Sequence, residues 1–551
     1  MVAFAAPALA QIAVVKTGDV VPLVGTVTRI DDVIVGNAGD WIVKIDTSGP
    51  ASRDLAILES GVVKFQEGRN TGLALFPGAI LVDTDSMSIN DNGTSMYLMT
   101  IRHTTGSTAV VVLVDDNFVM EAGVTPLNAP GAPAGAVWSL IRETWYNTND
   151  ELLVGGRLST GEDLLAKLTL DATGAIVSEE ILGIEGATIP GHPSAIEGFV
   201  FSRRRYAMNA SGSVLWYVDD ETITPGGTVI GCCDNWTMLD GAPAMHEGDP
   251  TPTIPGNTLG SLNAVEVDLN DAGEWVAQLP QNVATTNLDI ILKNGTEIVA
   301  AEGWSVPGFP GGWVLTAIGS STGVFISDRG NVIWLGKWDI PNTSIDSGIF
   351  FDHELLVEEG VTLIDGSLVI SLPANDAGMD VSNNGDFLLC KLGLANGTSG
   401  AYLFEVLPVI GVPYCGPAVA NSTGVPGFLT AGGSRNASDN YVILDALDLP
   451  MNSWGFFLAG LTQGFVTNPG GSEGNLCLGG AIGRYVGPGQ IKNSETEGSF
   501  RLILDLTQMP QPAGFVSVQS GDTWSFQTWH RDAVGGAATS NFTNGVEVQF
   551  L

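Results

Sequence analysis

Seven times in its first four hundred residues the chain spells a small or polar residue, two spacers, and a glycine or aspartate, followed by an apolar run. The copies are Gly36-Asn37-Ala38-Gly39, Asn90-Asp91-Asn92-Gly93, Asn147-Thr148-Asn149-Asp150, Asn209-Ala210-Ser211-Gly212, Asn270-Asp271-Ala272-Gly273, Ser327-Asp328-Arg329-Gly330 and Ser382-Asn383-Asn384-Gly385. Their closing residues lie 54, 57, 62, 61, 57 and 55 positions apart. Asn can bond its own backbone two residues on, and Gly accepts a positive φ without Cβ strain, so each copy reads as a tight turn between two strands. Such a spacing is that of repeated antiparallel sheets arranged around an axis.

The fifth unit shows how one repeat is built. Val265-Glu266-Val267 leads into the turn and Trp275-Val276-Ala277 leads out; a second hairpin joins Ile290-Ile291-Leu292 to Glu297-Ile298-Val299 through Lys293-Asn294-Gly295. That second hairpin ends on a motif of its own, at Glu67-Gly68, Glu121-Ala122-Gly123, Glu185-Gly186, Glu247-Gly248, Glu302-Gly303 and Glu359-Gly360. A seventh copy is missing after Ser382. Residues 12–19 have the shape of an outer strand, so the N-terminal strand is expected to close the last sheet and leave the ring without an open edge. The expectation is an all-β chain: a seven-bladed β-propeller over residues 11–410, followed by a C-terminal antiparallel β-sandwich over 411–551.

The long Pro- and Gly-rich segments after each Glu-Gly cross from one blade to the next. Their face is where a ligand is expected, with Trp138, Trp304 and Trp313 as the aromatics in or beside the crossings. The seven repeated turns then lie on the opposite face. The six glutamates, repeated in one context, read as caps for backbone amides.

Sixty acidic against 22 basic residues give a net charge of −38, which repels a phosphate backbone and an anionic bilayer alike. Nucleic acid and membrane insertion are therefore excluded as expectations, and no stretch reaches the length of an apolar membrane span. Residues 1–10 are apolar and end in Ala8-Leu9-Ala10, the small-x-small pattern that precedes signal cleavage. They read as a signal-peptide remnant, which places the protein outside the cell or on its surface. Of five cysteines, Cys415 and Cys477 are the expected disulfide, while the pairing of Cys232, Cys233 and Cys390 stays open.

The histidines are scattered, so a zinc site has little support. Acidic turns such as Asp83, Asp85 and Asp91 complete no calcium-loop pattern, and the reading assigns no cofactor beyond one adventitious calcium. Arg203-Arg204-Arg205, the only basic run, is expected to neutralise nearby carboxylates. No nucleophile-elbow, zinc-protease or phosphate-loop motif occurs.

From about Val412 the period stops. Alternating runs at Arg501-Leu502-Ile503-Leu504, Phe515-Val516-Ser517-Val518, Trp524-Ser525-Phe526-Gln527-Thr528 and Val546-Glu547-Val548 suggest the sandwich. Trp529-His530-Arg531-Asp532 joins a stacking aromatic, a titratable ring and an ion pair, and is the candidate site of this region.

The Asn-x-x-Gly turns resemble those of exported bacterial tandem-repeat proteins of the choice-of-anchor type, although the Ala-Phe that follows in that family is replaced here by Trp-Val-Ala after Gly273 and Phe-Leu-Leu after Gly385. Tyr414-Cys415-Gly416-Pro417-Ala418, Gly474-Asn475-Leu476-Cys477-Leu478-Gly479-Gly480 and Trp529-His530-Arg531-Asp532 resemble a terminal module of secreted planctomycete proteins. The two resemblances imply export, and a C-terminal part appended for attachment or glycan recognition. The leading expectation is a secreted or cell-surface, non-enzymatic binding protein for a glycan or envelope polymer. The alternatives are a propeller-type polysaccharide hydrolase or lyase using paired carboxylates, and a structural envelope component.

Overall fold

The structure is a computed structural model that describes all residues except 1–10, 190–193, 202–203, 221–234, 255, 263–264, 283–286, 308, 310–311, 320–322, 407–409 and 495–497. The signal-peptide reading, Arg203, Cys232 and Cys233 therefore lie outside the described residues. The chain is all-β and divides into two compact units, Met1–Val406 and Leu407–Leu551.

In the first unit the described residues form seven antiparallel sheets, most of them built from strands consecutive in sequence. The fifth repeat shows the pattern: Glu266–Leu269, Trp275–Asn282, Asn287–Lys293 and Glu297–Ala301 pair in order, with Leu269 opposite Trp275 and Ile290 opposite Ala301. The last sheet takes its outer strand from the far end of the chain. Gln11–Lys16 pairs antiparallel with Ser399–Glu405, with Ile12 opposite Leu403.

Packing explains the long apolar runs of the middle strands. In Val332–Trp338, Ile333 and Leu335 enter a core shared with the next sheet, while Val332 and Trp334 enter one shared with the preceding sheet. A strand buried on both faces has no position left for alternation with polar residues. Seven such cores each join two consecutive sheets. One of them returns to the start, packing Leu389 and Leu403 of the last sheet against Val27, Val33 and Val43 of the first, with Val15 of the N-terminal strand between.

The repeated turns form a second circuit of contacts. Each closing residue sits in the left-handed region, from Gly39 at φ 76° to Gly385 at φ 75°, and the aspartate that replaces glycine, Asp150, does so at φ 58°. The Oδ1 of Asn90 accepts from the amides of Asn92 and Thr94, which fixes the turn. Its Nδ2 then donates to the carbonyl of Asn147 in the next turn at 3.1 Å. The same bond recurs from Asn147 to Asn209, from Asn209 to Asn270 and from Asn270 to Ser327. Ser327 has no such amide, and the circuit continues through the Asp328 amide to the Asn383 carbonyl. Asn384 then bonds Asn37, and Asn37 bonds Asp91 in the second turn.

The Glu-Gly motif serves the sheet borders. Gly68, Gly186, Gly248, Gly303 and Gly360 each donate their amide across to the following unit, for example Gly303 to the Leu315 carbonyl at 2.8 Å. Glu185 and Glu302 accept amides of their own sheets, from Asp163 and Asp289. The expected capping role thus falls partly on the glycine rather than on the acid.

The second unit has a different plan. One sheet runs Val412–Tyr414, Ala537–Gln549, Thr523–Val534, Trp454–Thr467, Asn475–Arg484, and a smaller one pairs Phe428–Gly433, Val442–Leu447 and Phe500–Leu504. Their facing residues share one core that includes Leu429, Leu444, Phe457, Trp524, Phe526 and Val546. Cys415 and Cys477 form a disulfide, and Cys390 of the first unit is a buried free thiol.

Candidate functional site

The first strands of the repeats in the first unit line a cavity that is open to solvent. A strand alternates its side chains, so the residue two places before each turn points the same way in every repeat. These residues are Ile34, Ser88, Trp145, Ala207, Asp268, Phe325 and Asp380, and all seven line the cavity. Asn90, Asp91, Asn147, Ala210 and Asn383 of the turns line one end, and Arg204, five residues ahead of its turn, lies deeper.

Arg204 ties several sheets together at this depth. Its backbone takes φ 68°, its carbonyl accepts the Val267 amide, and its Nη2 reaches Asp380 Oδ1 at 2.9 Å and the Met379 carbonyl at 3.2 Å. The guanidinium lies 4.0 Å from the centre of the Phe325 ring. Gly323 makes room for it, since a Cβ there would lie 2.8 Å from Arg204 Cδ. The expected neutralising role of the basic run is therefore met at Arg204 by Asp380.

The carboxylates around the cavity are already engaged. Asp268 accepts the amides of Leu269 and Ile326, and Asp380 accepts Arg204 on one oxygen and the Val35 amide on the other. Asp91 accepts from Asn37 and Asn383. Burial pushes Asp268 up to about 6, against the pull of the Ile326 amide and the Arg204 charge. Burial likewise pushes Glu266 up to about 7, opposed by Arg204 and the Gly323 amide. Asp328 rises to about 7 through burial first, then the charges of Asp271, Asp91 and Asp268, while the Asp271 amide works the other way.

Three buried polar atoms of the lining have no hydrogen-bond partner among the described residues: Ser88 Oγ, Trp145 Nε1 and Arg204 Nε. None of the three presents accessible surface to the cavity, so a ligand reaches it only after neighbouring side chains move. Among the described residues no group of three or more His, Cys, Asp or Glu is placed to hold a metal ion. Of the acidic turn residues, Asp83 pairs with Lys44 at 2.8 Å and Asp91 serves the turn circuit.

The residues singled out in the sequence are dispersed. Trp138 is fully buried in the core between the second and third sheets, where its ring packs rather than offering a stacking face. Trp304 and Trp313 do meet at one crossing: Leu315 donates to the Trp304 carbonyl and Val306 to that of Trp313. Trp304 is 43% exposed, and Trp313 packs against the core of the fifth and sixth sheets. In the second unit, alternation splits the Trp529–Asp532 motif. Trp529 packs against Phe456 at 5.0 Å and Arg531 is exposed, whereas His530 and Asp532 turn inward.

Burial lowers the His530 value, against the Arg531 carbonyl and the Asp532 charge. Asp532 is held below the usual carboxylate range despite its burial, by bonds from Ser422, Ala533 and Asn541. These bonds make Asp532 a tie between the strand and the loop that carries Ser422.

The cavity lies at the repeated turns, the face that sequence reasoning set aside. The lining is the end of the strand before each turn: the residue two before the turn in all seven repeats and the residue one before it in six. It carries no shared residue type, and so forms no motif.

No protein-family model matches the sequence, and no curated protein does. Among solved structures, the polysaccharide lyase Uly1 matches at 11% identity over 70% of this chain and 91% of that one, with a TM-score of 0.32. An acylaminoacyl peptidase of Pyrococcus horikoshii matches at 11% identity over 68% and 52%, TM-score 0.28. A Trypanosoma rangeli sialidase matches at 10% identity over 99% and 97%, TM-score 0.26. None of these three reaches a TM-score of 0.5.

Proposed function

We propose that the first unit is a seven-bladed propeller closed by its N-terminal strand, and that the protein is a secreted or cell-surface binding protein whose axial cavity holds part of a glycan or envelope polymer. The second unit, read as a β-sandwich, then attaches the protein or extends its recognition. The observation that carries this reading is a cavity lined by one strand from each of the seven sheets, with the half-buried rings of Trp145 and Tyr146 on its wall and Asn90, Asp91 and Asn383 at the turns. Sugar hydroxyls both donate and accept, and an aromatic wall takes their apolar faces.

Binding is favoured over hydrolysis because both oxygens of Asp268 and of Asp380 already accept hydrogen bonds. A general acid or a nucleophile needs one oxygen directed at the substrate. The disulfide at Cys415–Cys477 agrees with an oxidising compartment.

A glycan array with the full chain, followed by titration calorimetry of the best ligand, tests the reading. Trp145→Ala removes a half-buried ring of the wall and Asn383→Ala an exposed polar group at the turns, and each is expected to weaken binding about tenfold. Unchanged affinity in both variants would move the site away from the cavity. Turnover of the bound glycan would restore the hydrolase or lyase reading.

A further inference from the structure

The larger sheet of the second unit gives only one of its faces to the core. Alternation along Trp454–Thr467 sends Phe457 and Ala459 into that core and puts Trp454, Phe456 and Leu458 on the opposite face. Trp529 and Arg531 of Thr523–Val534 share that face, with Phe456 opposite Trp529 in register. Toward one end Leu476 and Leu478 pack with Leu458 and Phe542 in a small cluster. Toward the other the cover thins: Phe456 and Trp529 are half-buried, and Trp454 is 51% exposed. Three aromatic rings thus form a stripe on an open sheet face, those of Phe456 and Trp529 being 5.0 Å apart.

Charge picks out the same stripe. The chain carries 60 acidic residues against 22 basic ones. In the second unit Arg501 is paired with Asp445, and Arg435 donates to the Gln549 carbonyl. Arg531 follows Trp529 by two residues and Arg484 stands opposite Leu458, so both lie on the aromatic face. Both are exposed, and among the described residues neither guanidinium has a hydrogen-bond or ion-pair partner. Even Glu473, whose amide donates to the carbonyl of Ser540 opposite Arg531, makes no ion pair with it. The two arginines are four residues apart along the strands and two strands apart across them, roughly 16 Å between Cα atoms, a spacing for acidic groups on a polymer rather than for one small ion.

We propose that this face of the second unit binds an acidic polysaccharide, its sugar rings on Trp454, Phe456 and Trp529 and its carboxylate or sulfate groups on Arg484 and Arg531. A guanidinium fork matches such oxyanions, and the rings take the apolar faces of sugars. Single-stranded nucleic acid also joins rings to negative charge, but a phosphate on every residue would meet the repulsion of a −38 net charge. The inference rests on the reading of the second unit as the part that attaches the protein or extends its recognition, and it is independent of the cavity.

The test is titration calorimetry of the full chain with four hexamers: an alternating glucuronate–N-acetylglucosamine oligosaccharide, the same oligosaccharide with its carboxylates reduced to alcohols, a sulfated galactan and oligothymidylate. At least one acidic sugar is expected to bind about tenfold more tightly than the reduced one, the factor set by two exposed ion pairs, and the tighter of the two names the acidic group. Arg484→Gln and Arg531→Gln are each expected to shrink that preference to about threefold, whereas Trp454→Ala weakens acidic and reduced sugars alike, by about tenfold. Arg102→Gln, an exposed change of the same charge in the first unit, must leave the preference intact. All four side chains are exposed, and each variant is checked for an unchanged melting profile.

Equal binding of the reduced sugar, an equal loss of preference in Arg102→Gln, or tightest binding of oligothymidylate would overturn the inference. Full binding by both arginine variants, with loss in Trp145→Ala, would overturn it in favour of the cavity and leave the proposed function standing. No binding of any hexamer would overturn it as well, while neutral hits on the glycan array would keep the cavity reading.

Discussion

In Met1–Val406 nearly every strand pairs with a neighbour close in sequence, and one pairing, Gln11–Lys16 with Ser399–Glu405, spans the whole unit. In Leu407–Leu551 long-range pairing is common: Val412 faces Glu547, Phe457 faces Thr528, and the Cys415–Cys477 bridge adds a covalent link across 62 residues. The first unit repeats one local solution and needs a single distant contact to complete it. The second has no repeat, and its order depends on contacts that bring distant segments together. A local repeat writes itself into the sequence as a period, whereas distant pairing leaves only strands without partners.

The closing strand is where the first unit depends most on a distant contact. Deleting residues 11–19 removes the outer strand of the last sheet and Val15 from the core between the last and first sheets. Burial lost on this scale is expected to cost the first unit roughly 5 kcal/mol or more. Calorimetry should show its transition falling steeply while that of the second unit holds. An unchanged first transition would mean that closure is not what the N-terminal strand supplies.

Next in size is the bridge of the second unit. Cys477→Ser opens a loop of 62 residues and is expected to cost about 4 kcal/mol by chain entropy. The loss should appear in the second transition alone.

Smallest is the effect of Asp328, which sharpens the comparison by testing how the turn circuit carries its charges. Its folded value of about 7 lies above the ordinary carboxylate value. The folded chain therefore keeps a proton that the unfolded chain releases, and the group costs stability as pH rises from about 4 to about 7, with no further change above. Asp328→Asn removes that cost. Urea unfolding is expected to show the variant more stable at pH 8, by on the order of 1 kcal/mol after solvent screening, and equal to the parent below pH 4.

What was legible follows the same division. The turns, the Glu-Gly ends and the N-terminal strand could be read because each depends on local chemistry: an Asx turn, a left-handed glycine, a strand lacking a partner. The cavity could not be read as a motif, because Ile34, Ser88, Trp145, Ala207, Asp268, Phe325 and Asp380 share a register but no residue type. Trp138 drew notice as an aromatic beside a crossing, yet the continuous apolar faces of the second and third sheets enclose it. In the second unit the run Trp524-Ser525-Phe526-Gln527-Thr528 was visible as a strand, but both of its faces are buried. Trp524 and Phe526 enter the core of the second unit, while on the other face Gln527 accepts the Cys477 amide and donates to the carbonyls of Asn475 and Thr543.

The central claim, that the turn end of the axial cavity is where the first unit meets its ligand, is tested most directly by hydrogen–deuterium exchange on the full chain with and without a saturating oligosaccharide. Slowed exchange is expected in the segments holding Ser88 to Asp91, Trp145 to Asn147 and Asp268 to Leu269, with residues 304–315 unchanged. Protection confined to residues 304–315, or to the second unit, would contradict it.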